Sequence, residues 1–360
     1  MKKTTSNSIK RNLITALSLM MTATMLASCG SGYDGSESRK SGSYNNERTT
    51  AENYRYSNVT AGDTDGTANI GGGYNTEEYN HLTENGYKLV SDEPLSTFST
   101  DIDTASYTNV RRMINDGWEV DPDAVRTEEF INYFKYDYEK PAEGAVSINT
   151  ELSDCPWNSE AKLMLVGLQA REAKVKDVPT NLVFLIDVSG SMEDEDKLPL
   201  VQQAFSMLAE NLGADDRVSI VTYAGSDSVV LEGESGDNSE EIVSALNSLS
   251  AGGSTAGAAG ITTAYKLAEE YFIEGGNNRV ILATDGDLNV GLSSEEELTD
   301  LISQKRDSGV YLSVLGFGSG NYKDNRLEAL ADNGNGNYAY IDSVDEAERV
   351  LVTEMSGTLF

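Results

Sequence analysis

From residue 181 onward the chain alternates short apolar runs with stretches in which apolar residues recur every three to four positions. The runs at 182–186, 218–223, 280–283 and 310–315 are continuous, the pattern of strands buried on both faces of a parallel sheet. Between them, Leu198, Val201, Phe205, Leu208 and Leu212 form one helical stripe, and Ile242, Ala245, Leu246 and Leu249 a second. Ile261, Ala264, Tyr265, Ala268 and Phe272 form a third, and Leu298, Leu301 and Ile302 a fourth. Asn238 with Glu241, Ser294 with Glu297, and Ser343 with Glu346 have the spacing of capping boxes, and a last helix is expected over 344–355. Such alternation predicts an α/β fold: a doubly wound, mostly parallel sheet flanked by helices, binding ligands at the carboxyl ends of its strands.

The pattern upstream is different. One helix, capped by Asp103 or Thr104, is expected to present Tyr107, Val110 and Ile114 on one face. A second, opened by Asp121-Pro122, carries Ala124, Ile131 and Phe134. The runs at 146–152 and 163–168 read as strands, with Cys155-Pro156-Trp157 in their connection. These elements form a small α+β extension over 95–175, ahead of the main domain at 176–360. Between 30 and 93 the only Val, Ile, Leu or Met residues are Val59, Ile70, Leu82, Leu89 and Val90. So little apolar area cannot offset the entropy of ordering, and 29–94 reads as an unstructured tether spanning roughly 45 Å.

The amino terminus reads as a processing segment. Lys2, Lys3, Lys10 and Arg11 precede a moderately apolar stretch at 13–25, and Leu26-Ala27-Ser28-Cys29 resembles a bacterial lipobox. The resemblance implies a signal peptide over 1–28, a lipidated Cys29, and an exported protein anchored at the outer face of the plasma membrane or at the outer membrane. The apolar stretch is too short, and too broken by Thr and Ser, to favour a transmembrane anchor. Cys29 and Cys155 are the only two cysteines, which leaves no disulfide framework. A formal charge of −32 repels phosphate backbones and so argues against a nucleic-acid partner.

The candidate chemistry begins at Asp187-Val188-Ser189-Gly190-Ser191-Met192, directly after the first apolar run. One carboxylate and two hydroxyls at alternate positions make half of a hard-cation site. Two further segments lie at expected strand ends or helix starts. Gly252-Gly253-Ser254-Thr255-Ala256-Gly257 offers the Thr255 hydroxyl, and Ala283-Thr284-Asp285-Gly286-Asp287 offers the Asp285 carboxylate. A parallel sheet brings such ends to one edge, so Asp187, Ser189, Ser191, Thr255 and Asp285 can meet. An all-oxygen set with two carboxylates suits Mg²⁺ completed by water, with Mn²⁺ or Ca²⁺ as alternatives. A carboxylate from a partner is then a favourable sixth ligand. The acidic run Glu193-Asp194-Glu195-Asp196 reads as a solvated helix start or as an acidic rim around that ligand.

These three motifs resemble the metal-ion-dependent adhesion site (MIDAS) of the von Willebrand factor A (VWA) domain. The resemblance implies a VWA/Rossmann-like fold over about 181–355. It also implies direct coordination by Ser189 and Ser191, by Thr255 in a high-affinity state, and direct or water-mediated coordination by Asp187 and Asp285. Residues 97–107, then Asn109-Val110-Arg111-Arg112 and Ile131-Asn132-Tyr133-Phe134, are similar to bacterial lipoproteins of the YfbK type. Those continue where this chain ends in Thr358-Leu359-Phe360, which implies that their C-terminal domain is lacking here.

Other signals carry less. Asp63-Thr64-Asp65-Gly66-Thr67 has a phosphatase-like spacing but sits in the expected tether, and Gly316-Phe317-Gly318-Ser319-Gly320 lacks the spacing of a dinucleotide loop. His81 is the only histidine, which excludes a Ser-His-Asp triad, a Cys-His pair and a multi-histidine zinc site. The expectation is a non-enzymatic, surface-anchored binding module that grips a protein or another carboxylate-bearing ligand through the metal. It touches the membrane through its lipid alone, and no small-molecule substrate is expected. The alternatives are a non-catalytic component of a metal-dependent envelope enzyme, or a structural or stress protein of the envelope with a mainly structural metal.

Overall fold

The apolar runs pair as expected, and two further strands join them. The computed structural model describes residues 77–81, 83, 85–98, 102–171, 178–253, 257–286, 295–320 and 322–354. In chain order the strands are β1 (Val146–Asp154), β2 (Lys162–Ala170), β3 (Thr180–Asp187), β4 (Arg217–Tyr223), β5 (Asp227–Ser235), β6 (Asn277–Thr284), β7 (Val310–Phe317) and β8 (Tyr338–Ile341). The helices are α1 (Ala105–Asn115), α2 (Thr127–Tyr133), α3 (Leu198–Ala209), α4 (Ser239–Asn247), α5 (Gly257–Glu270), α6 (Glu295–Asp307), α7 (Asp324–Asn333) and α8 (Val344–Glu348).

Six strands form one sheet in the order β5-β4-β3-β6-β7-β8, parallel throughout except for the edge strand β5, which runs antiparallel to β4. Every residue of β3 and β6 is buried, which explains the unbroken apolar runs at 182–186 and 280–283 within them. Side chains alternate across β3. Leu182, Phe184 and Ile186 face a layer containing Phe205, Leu208, Ile242, Leu246, Val350 and Leu351. Val183 and Leu185 face Ile261, Tyr265, Ile302, Leu327 and Leu330. The chain winds outward from β3 to β4 and β5, then returns to the other side of β3 as β6. The order therefore reverses at β3, whose carboxyl end is where sheets of this kind bind ligands.

Several local expectations need correction. On α1 the buried positions are Ala105, Ser106, Thr108, Asn109, Val110, Arg112 and Met113, while Ile114 is exposed. Val110 is buried as expected, with Met113 beside it, but hydroxyl, amide and guanidinium side chains fill the rest of the docked face, so the apolar stripe does not extend to Ile114. Neither Asp103 nor Thr104 caps it: Thr104 makes no capping bond, and Asp103 accepts a hydrogen bond from Tyr338 N at 2.8 Å. Asp121-Pro122 opens a 3₁₀ turn (Pro122–Ala124) rather than the helix, and Ile131 and Phe134 are exposed. The Asn238 side chain does not cap α4 and instead donates to Glu234 Oε1 at 3.0 Å. Ser343 does cap α8, accepting from Glu346 N at 3.3 Å. The last helix is short and passes into a π-helical turn (Arg349–Thr353). Ser294 and Met355 lie outside the described residues.

The extension splits in two. Helices α1 and α2 dock at the β8 edge of the sheet, where Thr108 Oγ1 donates to Tyr340 O at 2.8 Å, so exposed ladder groups of an edge strand are partly covered. The two strands expected there are present and slightly longer, as β1 and β2, and they pair with each other in a separate two-stranded antiparallel sheet. Its Val146, Ile148, Leu152, Met164, Val166 and Leu168 share one face, and all are exposed. Within the stretch expected to be a tether, Glu77 pairs with Arg112 at 3.0 Å and Glu78 with Lys323 at 2.8 Å, while Tyr79 packs against the cluster of Val110, Met113 and Ala124. His81 Nδ1 lies 3.1 Å from Asp123.

Candidate metal centre

Asp187 is the last residue of β3 and is wholly buried, at the point where the strand order reverses. Register places it opposite Tyr223 at the end of β4. The loop beyond it is set by the backbone. Val188 N donates to Tyr223 O at 3.0 Å, Gly252 N to Val188 O at 2.8 Å, and Gly190 N to Gly253 O at 3.1 Å. Met192, in the 3₁₀ turn Gly190–Glu193, is fully buried and pins the loop into the core. The glycine-rich segment is thereby held alongside the Asp187 loop through Gly252 and Gly253.

The Asp187 carboxylate is met by neutral donors. Ser189 N donates to Oδ1 at 2.9 Å and the Thr284 hydroxyl donates to Oδ2 at 3.2 Å. Burial pushes its pKa up to about 6, the hydrogen bonds from Ser189 oppose that rise, and the charge of Asp285 adds to it. Thr284 Oγ1 also accepts from Gly286 N at 3.1 Å. Gly286 has φ +97°, and a Cβ there would meet Lys323 N at 2.6 Å. Only glycine lets the chain leave β6 in this way immediately after Asp285.

Four of the five expected ligands therefore occupy one sheet edge. Ser189 is buried and Ser191 exposed, with their hydroxyl oxygens 3.1 Å apart. Asp285, nearly fully buried, pairs with Lys197 Nζ at 3.2 Å. Thr255, Asp287 and the expected lipidation site Cys29 lie outside the described residues. The acidic run 193–196 is exposed and lies ahead of α3, which starts at Leu198, so it is not a helix start. Sequence reasoning missed three residues. Thr284 was visible within the Asp285 motif, and Tyr223 could be found as the β4 partner of Asp187. Lys197 had no local signal, because only folding carries it back to Asp285.

The donor set fits a hard cation. Two nearby carboxylates, two converging hydroxyls and one lysine leave negative charge incompletely offset. Burial, and then the charge of Asp187 beside it, hold the Tyr223 phenol well above its usual pKa. No cluster of three or more His, Cys, Asp or Glu side chains suited to a metal occurs among the described residues, so a site here must draw on hydroxyls and water. No helix among them is long and apolar enough to cross a membrane.

Comparison with known proteins places this geometry. The family profile for the von Willebrand factor type A domain matches residues 181–352, and a second, described as von Willebrand factor, matches 73–165. The chain carries a VWA domain. It is 44% identical over 293 residues to YfbK of Escherichia coli K12, an uncharacterized protein, covering 79% of this chain and 51% of YfbK. This chain thus spans about half the length of that relative. Human inter-alpha-trypsin inhibitor heavy chain H3 is 32% identical over 176 residues, 46% of this chain and 20% of that protein. Among solved structures, proximal thread matrix protein 1 from the mussel byssus, described with a zinc-occupied MIDAS motif, is 22% identical with a TM-score of 0.41. That match covers 50% of this chain and 45% of the mussel protein.

Proposed function

We propose that this protein is a non-enzymatic binding module that holds Mg²⁺ at its MIDAS and uses the ion to grip a carboxylate on a protein partner. The observation that carries the reading is the meeting of Asp187, Ser189, Ser191 and Asp285 at the strand-order reversal, with one lysine against two carboxylates. Ser189, Ser191 and Asp187 would face the ion, with Thr255 joining them and Asp285 acting directly or through water. The bound ion would supply Lewis acidity toward a carboxylate, while the chain's own residues fix where that carboxylate lands. VWA domains are general protein-interaction modules, and the histidine-poor composition is consistent with binding rather than hydrolysis. The lipobox-like Leu26-Ala27-Ser28-Cys29 supports display on the outer side of a bacterial membrane.

Calorimetric titration of MgCl₂ into the protein tests the metal step. One-site binding that is lost in Ser189→Ala/Ser191→Ala is expected, and absence of binding by the parent protein overturns the reading. Pull-down from envelope extract with Mg²⁺, with EDTA and with Asp187→Ala tests the partner step. Identical retained proteins in all three conditions would mean that the ion does not mediate recognition.

A further inference from the structure

Lys197 is 6% exposed, although lysine is almost never buried without a partner. Its Nζ donates to the Ser191 carbonyl at 2.9 Å and to Asp285 Oδ2 at 3.2 Å, and Asp194 Oδ2 lies 3.9 Å away. The backbone secures it as well, since Lys197 N donates to Asp194 O at 3.0 Å. Its aliphatic stem runs over Gly318, just past the end of β7. A Cβ at that glycine would come within 2.4 Å of Lys197 Cε and 2.5 Å of Cγ. The glycine, at φ +73°, gives the stem its room, and its carbonyl is fixed by the Tyr340 hydroxyl at 2.6 Å. One side chain thus ties together the loop after β3, the end of β6 and the end of β7.

The charge it brings is distributed unequally. Asp285 has a cation in contact, whereas Asp187 is met by the Ser189 amide and the Thr284 hydroxyl. A divalent ion drawing on both carboxylates must share Asp285 with an ammonium group that is already there. We propose that Lys197 is a resident counter-ion that positions Asp285 and weakens the affinity of the site for divalent metal. This rests on the metal-binding reading above. Lys197 keeps the two carboxylates from being left together unneutralised when metal is absent, and it opposes the metal when metal arrives. The same contact therefore stabilises the metal-free fold and limits metal affinity.

Calorimetry with MgCl₂ on the full chain, with circular dichroism as a check of folding, compares the parent with Lys197→Gln, Lys197→Met and Lys197→Arg. Lys197→Gln removes the charge and keeps an N–H donor on a shorter side chain, and Lys197→Met removes charge and donor together. Both are expected to bind Mg²⁺ about tenfold tighter, the size of effect that outer-shell groups exert but with the opposite sign, because Lys197 competes with the ion for Asp285. Both are expected to melt at lower temperature than the parent in EDTA and to gain more from added Mg²⁺. Lys197→Arg keeps the charge in a larger, planar group and is not expected to tighten binding. Unchanged or weaker binding by a folded Lys197→Gln overturns the inference, as does equal tightening in Lys197→Arg. If the parent binds no Mg²⁺ or Mn²⁺, the metal reading fails first and this inference with it, a result distinguishable from failure of the Lys197 role alone.

Discussion

Two groups of buried charges lie at opposite ends of this domain's logic, and they are neutralised differently. Where α1 and α2 dock, carboxylates are enclosed by guanidinium groups. Arg126 pairs with Glu129 at 3.0 Å, with Glu328 at 2.8 Å and with Asp324. Arg111 pairs with Asp342 and with Glu346 and also donates to the Tyr133 hydroxyl, while Arg349 lies over the Tyr133 ring. At the carboxyl end of β3, one lysine contacts Asp285, and Asp187 is met by an amide and a hydroxyl. Arginine's planar fork saturates several acceptors at once and leaves little for a ligand. Hydroxyls and one point charge leave lone pairs available. The docking cluster is closed within the chain, whereas the proposed metal would complete the β3 loop from outside.

The largest test of that contrast is Arg126→Met. It strands Glu129 and Asp324 as buried carboxylates, so urea unfolding should show a loss of about 3–5 kcal/mol, the same with and without Mg²⁺. A loss that depended on metal would erase the distinction between the two clusters.

The next concerns Asp187, whose pKa is raised to about 6 against an unfolded value of 3.8. Between those values the folded state holds more protons than the unfolded state, so stability falls as pH rises. In EDTA, the contribution is present below about pH 4 and lost by about pH 7, a change of about 3 kcal/mol. Glu328, pushed up to about 7 chiefly by burial, slopes the same way. The difference between parent and Asp187→Asn in urea titrations at each pH therefore isolates the Asp187 share. Near pH 7 the variant should be the more stable of the two when metal is absent.

Smaller effects sharpen the comparison on each side. Tyr133→Phe removes the hydroxyl between Arg111 and Glu346 but keeps the ring stacked on Tyr107 at 3.9 Å, so thermal or urea unfolding should report about 1.5 kcal/mol. Thr284→Val removes the donor to Asp187 and the acceptor for Gly286 N, for about 1 kcal/mol. It should also move the Asp187 pH transition upward, because that hydrogen bond favours the charged form.

Legibility in the sequence follows the same physics. The four expected central strands emerged because burial on both faces demands unbroken apolar runs. The edge strand β5 was missed because DSVVLEGES is half-exposed and mixed in polarity, and β8 because four residues, YAYI, are too few to set a period. Helix α7 has few apolar residues and was missed too, although Leu327, Leu330 and Ala331 bury. The hairpin β1–β2 was legible as two strands, but its alternating apolar face does not say what covers it.

For the site, the sequence by itself determined which oxygen-bearing side chains follow one another on the loop after β3 and at the end of β6. Local spacing suffices there, because Asp187, Ser189 and Ser191 sit on one loop and Asp285 closes a strand. Only the tertiary structure decided which charges face one another. Lys197 reaches Asp285 across 88 positions, Thr284 reaches Asp187 across 97, and Arg111 reaches Asp342 across 231. Electrostatic pairing depends on distance in space, and no periodicity along the chain encodes it.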